Sequence, residues 1–435
     1  MTAQQPSGLT DAQKQLLEQA VAWSKQNQPD RAAECWRKVL EQSPDVAPAL
    51  SGLGTYYLGR GELGEAQRFL QRAAQVSDQP AMAHANLSRV HSARGDLPQA
   101  LAAIKQAIQA EPAAWGAHAE KARLLQRLGR DREAATAWSS AMAYMPPAFA
   151  QAPHMQDLVN EAKASVTANQ AQLRDFLMDH MHGALEGGSR RELERFDHCL
   201  DIVTGRRTFV TARPLMLPFP RLPAIPFFHR EDYDWVPRVE AAFPDILAEL
   251  EALLAQQRSF EPYVQTPVGE PKGQFAALDR KMDWGAYFLW RNGSRINEQA
   301  DLCPRTEATL LAHAPLNAVP NRAPVAFFSA LKPGTHIPPH HGATNTRLTV
   351  HLPLIIPPDC ALRVGGETHV WKPGELVLFD DTIQHEAWNF SDRLRVVLIF
   401  DIWHPMLTDL EKRLVAHTVE GIMAYYGDDA DLGEL

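Results

Sequence analysis

The chain has 435 residues, of which 45% are hydrophobic and 22% charged, with a formal charge of -9. That length accommodates two or three domains, and the composition is that of a folded globular protein. The acidic balance argues against nucleic acid or an anionic membrane as the main partner, because both need a basic face. Residues 1–8 lack a charged region followed by an apolar run, so no signal peptide is predicted. No apolar stretch approaches the roughly 20 residues needed to span a bilayer. Four widely spaced cysteines (Cys35, Cys199, Cys303, Cys360) form no CxxC pair. Free thiols in a reducing, cytoplasmic setting are predicted instead of a disulfide framework or a zinc site.

Along the N-terminal third, Gly61, Gly95 and Gly129 recur every 34 residues, in phase with Ala66, Ala100 and Ala134 and with Ala73, Ala107 and Ala141. Projection back one period reaches Ala32. Terminal prolines fall at Pro44, Pro112 and Pro146, with Asp78 breaking the series. A 34-residue period with small residues where two helices cross and proline at the repeat end is the tetratricopeptide pattern. The best-preserved unit carries Leu53, Gly54, Tyr57, Ala66 and Ala73. About four repeats are predicted over residues 13–146, the first being the most degenerate. Stacked repeats form a superhelix whose concave side binds peptide segments; a dimerisation or spacer module fits the same pattern.

Residues 147–212 are predicted to be a helical connector, with apolar residues at helical spacing in 155–159 and 173–177 and a break at Gly187, Gly188 and Ser189. Five prolines between Pro214 and Pro226 mark the start of a new domain, taken as residues 213–435. One helix is predicted over residues 235–257, because Val239, Phe243, Ile246, Leu250 and Leu254 form a stripe fit to pack on a sheet.

From about residue 323 the pattern becomes short apolar or alternating runs separated by Pro, Gly and Asp. Strands are predicted near residues 325–331, 346–355, 361–364, 375–379 and 394–402. About eight strands would form a double-stranded β-helix, or jelly roll, with polar side chains inside its mouth. The fold class is therefore a helical tetratricopeptide superhelix followed by a jelly-roll domain. His340, His351, His385 and Arg395 lie on or beside these strands.

Two imidazoles suit Fe(II), which in an oxygenase keeps open positions for cosubstrate and O2. 2-Oxoglutarate chelates through its keto and adjacent carboxylate oxygens, and its far carboxylate calls for a buried bidentate arginine. Arg395, inside the apolar run 394–400, is preferred for that role over Arg393. The usual site is two histidines and one carboxylate, the acid two residues after the first histidine; here that position is Gly342. Asp380 and Asp381 are the carboxylates nearest His385 in sequence. Their simplest role is to cap a turn, and a distant third ligand is the alternative.

The motif order Pro333-Gly334-Thr335-His336, Pro339-His340, Gly342-x-Thr344-Asn345, Arg347-Leu348, His351-Leu352, Arg363-Val364, Phe379-Asp380-Asp381, His385-Glu386-x-Trp388 and Asp401-x-Trp403-His404-Pro405 resembles the aspartyl/asparaginyl β-hydroxylase family. The resemblance spans roughly residues 284–405, and the animal enzyme also places a tetratricopeptide-like region before its oxygenase domain. It implies that His340 and His385 hold Fe(II), and that the missing carboxylate at Gly342 is a family trait. It implies that Trp284, Ser329, His351 and Arg395 contact 2-oxoglutarate. Thr349 stands where the animal enzyme has a further cosubstrate-binding arginine, and His341 replaces a threonine beside the metal.

The expected activity is hydroxylation at the β-carbon of an aspartyl or asparaginyl residue in a peptide, protein or carrier-bound amino acid, with the repeats recruiting substrate. O2 and 2-oxoglutarate are consumed, and succinate and CO2 released. A carboxylate-free iron also leaves halogenation chemically open. Hydroxylation of another small molecule or an acyl chain is an alternative, and a non-catalytic interaction protein with a degenerate barrel is another. His336 and His404 are expected to be scaffold hydrogen-bond donors. Trp371, Trp388 and Trp403 are expected to be packing residues, and the acidic tail around 427–431 a solvated end.

Overall fold

A computed structural model describes residues 9–427 apart from Glu270. The first eight residues and the acidic tail beyond Gly427 therefore lie outside the described residues. The chain divides into two compact units between Arg207 and Thr208.

The first unit is helical. Its first eight helices are α1 (Asp11–Lys25), α2 (Pro29–Gln42), α3 (Ala47–Gly59), α4 (Leu63–Val76), α5 (Ala81–Ala93), α6 (Leu97–Ala110), α7 (Trp115–Arg127) and α8 (Asp131–Tyr144). They pair as four antiparallel hairpins. The periodic glycines Gly61, Gly95 and Gly129 sit between paired helices at φ +76°, +79° and +69°, a left-handed conformation that glycine adopts without a Cβ penalty. The periodic alanines are the inter-helix contacts: Ala66, Ala100 and Ala134 have no exposed surface. Helix Gln156–His180 packs on α8 through Val159 and Ala162, so the packed array continues past the fourth hairpin. Ser189 then starts the helix Arg190–Val203 with a capping box closed by Glu192.

The second unit holds two antiparallel sheets. Its strands are β1 (Phe227–Phe228), β2 (Glu261–Pro262), β3 (Trp284–Arg291), β4 (Ser294–Arg295), β5 (Ala326–Leu331), β6 (Thr335–His340), β7 (Arg347–Ile355), β8 (Cys360–Val364), β9 (Glu367–His369), β10 (Val377–Phe379), β11 (His385–Asn389) and β12 (Arg395–Trp403). The larger sheet runs β1-β10-β7-β12-β5-β3-β2, with β4 on β3, and the smaller runs β6-β11-β8-β9.

The larger sheet is buried on both faces. Val396, Leu398 and Phe400 of β12, with Leu348, Val350 and Leu352 of β7, face a helical layer that includes Val239, Ile246 and Leu250. The alternate residues of the same strands turn toward the smaller sheet and line a cavity. The predicted helix over residues 235–257 is two helices, Val236–Ala241 and Phe243–Ala255, interrupted at Ala242. Pro244 has no N–H to donate back into a preceding turn, so the first helix stops there.

Candidate functional site

The two sheets enclose a cavity of about 450 Å³. At one end, β6 and β11 are paired so that His340 lies directly opposite His385. Their rings come within 3.9 Å, centroid to centroid. Each ring is held by the backbone two residues before it: His340 Nδ1 is 2.7 Å from the Pro338 carbonyl, and His385 Nδ1 is 3.0 Å from that of Ile383. A carbonyl only accepts, so Nδ1 carries the proton in both rings and the lone pair is on Nε2. Burial pushes the His385 imidazole down to about 4 and that of His340 well below its usual value. Both rings are therefore neutral at physiological pH, the form in which imidazole binds a metal.

Gly342 is closely packed. A Cβ built there would stand 2.3 Å from the Asp381 carboxylate, so that carboxylate fills the space a side chain at 342 would enter. Asp381 is buried, accepts from Arg347 Nη2 at 3.3 Å through Oδ2, and has no partner on Oδ1. Asp380 instead caps a turn, accepting from the Thr382 N–H at 2.9 Å and from its hydroxyl at 2.5 Å. Among the described residues no three His, Cys, Asp or Glu side chains form a complete ligand cluster. The proline-rich segment secures the following loop. Arg213 donates to the Thr382 carbonyl, Met216 to that of Ala343, and Asn345 exchanges two side-chain hydrogen bonds with the Phe219 backbone.

The far end is built on β12, β7, β5 and β3. Arg395 is 1% exposed, yet its Nε and Nη1 have no hydrogen-bond partner. Burial lowers its guanidinium to about 10, still charged at neutral pH. Trp371 lies 4.6 Å from it, face-on, so this tryptophan supports the cation and is more than a packing residue. Ser329 accepts a hydrogen bond from Trp284 Nε1 at 3.0 Å, and both line the cavity. His351 is buried with Nδ1 unpartnered, its ring edge-to-face with Phe379 at 4.9 Å. Further along β12, Asp401 accepts from Thr349 across 3.4 Å through Oδ1 and from Arg347 Nη1 through its other oxygen; because Arg347 also bonds Asp381, this cluster stands on the histidine side of the cavity. Burial raises the Asp401 carboxyl to about 6, against the opposing pull of Arg347.

The cavity thus collects Trp284, Ser329, His340, Thr349, His351, His385 and Arg395. Arg393 lies outside the strand, and its carbonyl accepts from Asn389. His341 also lines the cavity, with Nδ1 2.9 Å from the Thr382 carbonyl. His336 faces Glu386 at 2.7 Å on the opposite side of its strand. Sequence reasoning assigned no role to Tyr263, which stacks on Trp284 at 4.1 Å and on Phe327 at 5.3 Å. It also passed over Gln274 and Phe275, which come from an irregular segment with no periodicity. Arg347 and Asp401 stood in motifs without a role; their shared strand parity with His351 and Arg395 was the available signal.

A neutral imidazole pair and a buried cation share one cavity between two antiparallel sheets, an arrangement suited to a small, anionic ligand. Residues 240–405 match the profile of the family described as Aspartyl/Asparaginyl beta-hydroxylase, and residues 17–80 and 86–153 match a tetratricopeptide repeat. The second unit therefore contains a domain matching the aspartyl/asparaginyl β-hydroxylase family, and the first carries tetratricopeptide repeats, which are protein-interaction modules. It is 39% identical over 137 residues to the human Aspartyl/asparaginyl beta-hydroxylase, covering 31% of this chain and 18% of that protein. The mouse protein of the same name is 33% identical over 184 residues, 41% of this chain and 24% of that one. The Ornithine lipid ester-linked acyl 2-hydroxylase of Rhizobium tropici is 31% identical over 200 residues, 45% of this chain and 66% of that one. The chain spans less than a quarter of the length of the first two relatives. Among the described residues no helix is long and apolar enough to cross a membrane.

Proposed function

We propose that the second unit is a double-stranded β-helix hydroxylase dependent on Fe(II) and 2-oxoglutarate, with an aspartyl or asparaginyl side chain of a peptide or protein as its target. The first unit supplies the recruiting surface. One observation carries this reading: two imidazoles with bare Nε2 atoms and a buried, unpartnered Arg395 share a cavity. A buried cation with unmade hydrogen bonds is costly on its own, and a dicarboxylate reaching into the cavity supplies its missing acceptors.

His340 and His385 would hold the metal through Nε2, with the carbonyls of Pro338 and Ile383 fixing tautomer and ring plane. Arg395, braced by Trp371, would take the far carboxylate of 2-oxoglutarate, with Ser329, His351 and Trp284 around the same molecule. Thr349 offers a hydroxyl where a second cation would add charge, so Arg395 carries the anchoring. When bound, Fe(II) with 2-oxoglutarate and O2 supplies the oxidising power to hydroxylate an unactivated C–H bond. The protein's share is orientation and exclusion of water: Tyr263, Phe288 and Phe327 form an aromatic wall, and Asp381 holds an unpaired acceptor near the imidazoles.

Fe(II)-dependent conversion of 2-oxoglutarate to succinate is the test. It is expected in the intact protein and lost in His340→Ala and His385→Ala; unchanged turnover in both variants would rule out this site. Absence of metal and 2-oxoglutarate binding would leave the repeats as the functional part. The apolar wall and the lipid-acting relative favour acyl hydroxylation as a second reading. Mass spectrometry separates the two by where the added 16 Da falls, on a peptide or on an acyl chain.

A further inference from the structure

The metal end of the cavity has a support outside the sheets. The turn Gly273–Phe275 lies against β6, 67 residues from it in sequence. Gln274 Nε2 donates to the His341 carbonyl at 2.9 Å, and Gln274 Oε1 accepts from the His341 N–H at 3.1 Å. These are the two bonds that a residue of an antiparallel partner strand would make. One side-chain carboxamide thus stands in for a strand at the residue following His340. The adjacent Phe275 meets the His340 ring edge-to-face at 4.7 Å and the Trp284 ring at 5.5 Å.

The turn is itself anchored. Leu278, which is 6% exposed, donates to the Phe275 carbonyl at 2.8 Å. Asp279 accepts from the Thr266 N–H at 2.9 Å and pairs with Lys272 at 3.2 Å. Gln274 therefore reaches His341 from a fixed base. β6 needs this support because it is the edge of its sheet, with β11 as its neighbour in the strand order.

We propose that Gln274 is a positioning residue for the metal centre, holding the backbone of His341 so that Phe275 can fix the plane of the His340 ring. This rests on the proposed metal site, and the experiment is chosen to separate the two ideas. Without the carboxamide, the end of β6 loses its partner on that edge, and the His340 ring keeps only the Pro338 carbonyl to orient it. Removing an outer support of a metal ligand typically weakens metal affinity about 10- to 100-fold.

Mn(II) is titrated into the metal-free full-length protein, wild type against Gln274→Met and Gln274→Glu. Methionine keeps the stem's length and loses both hydrogen bonds; glutamate keeps an acceptor for the His341 N–H and loses the donor to its carbonyl. The expected result is about tenfold weaker Mn(II) binding in Gln274→Met, with Gln274→Glu between it and wild type. The thermal midpoint of the metal-free protein should move by no more than about 3 °C, since the bonds lie on an exposed turn. Mn(II) affinity of Gln274→Met within twofold of wild type would overturn the proposal, as would a weakening matched by general loss of folded protein. Failure of the wild type to bind Mn(II) would instead overturn the metal-site reading itself.

Discussion

The two ends of the cavity are built on opposite principles. At the histidine end each ring is oriented by a carbonyl two residues before it in the chain, and space is so short that a Cβ at Gly342 would have to displace the Asp381 carboxylate. At the Arg395 end a fully buried cation is left with two unmade hydrogen bonds. One end has its rings already oriented, and the other holds a cation still short of acceptors. A site can therefore be pre-organised by local geometry for one group and by an unpaid desolvation cost for another.

The largest expected effect tests that asymmetry at its unsatisfied end. Arg395→Met should weaken 2-oxoglutarate binding by about 100-fold or more, the scale of losing one partner of a buried charge pair. The same variant should leave the metal-free protein at least as stable, by about 1–3 kcal/mol, because it removes a buried group with unmade bonds. Calorimetric titration and urea unfolding measure the two effects, and a joint loss of binding and stability would break the contrast. At the histidine end, Gly342→Ala should destabilise by about 1–3 kcal/mol through overpacking against Asp381, read by urea unfolding without metal.

A pH prediction sharpens the contrast, since burial of neutral imidazoles is common to both ends. His340, His351, His385 and His404 are all depressed by burial. The folded chain then binds fewer protons than the unfolded one between about pH 4 and 6.5, so stability should rise with pH across that window. Asp380 and Asp401, raised to about 6 by burial, oppose this; their contribution is full below about pH 3.8 and is lost as pH rises through 6. With His84 and His369 also held down by burial, the imidazoles outnumber the two raised carboxylates and leave a net rise. His404→Phe should flatten it by up to about 1.4 kcal/mol per pH unit, one proton's worth. The smallest effect is expected for Thr349→Val, about 0.5–1 kcal/mol of stability, because it removes only a 3.4 Å bond to Asp401.

The repeats were legible because their signal is local and recurs: Gly95 needs a left-handed turn, and Ala100 a close helix contact, at every 34-residue step. Strands β5, β7, β8, β10 and β12 were also legible from apolar runs. β6 and β11, which carry the two histidines, were not among the predicted strands. β6 contains Pro338 and Pro339, which read as a break, and β11 mixes His, Glu and Asn among its five residues. β3 was missed as a strand because its run is aromatic and begins well before the other strand-like stretches. The candidate site residues came through motif order and the family resemblance it carries. What could not be read was distance: the roles of Trp371 under Arg395 and of Gln274 on His341 exist only once non-adjacent segments meet.

The two prolines of β6 have a consequence beyond its readability. Neither offers an N–H, and because successive residues face opposite edges, one of them leaves the outer side of this strand short of a donor. The strand that carries His340 is thereby a poorer template for a foreign β-strand. The same missing donors that make this strand read as a break keep its free edge from being extended by another molecule's backbone.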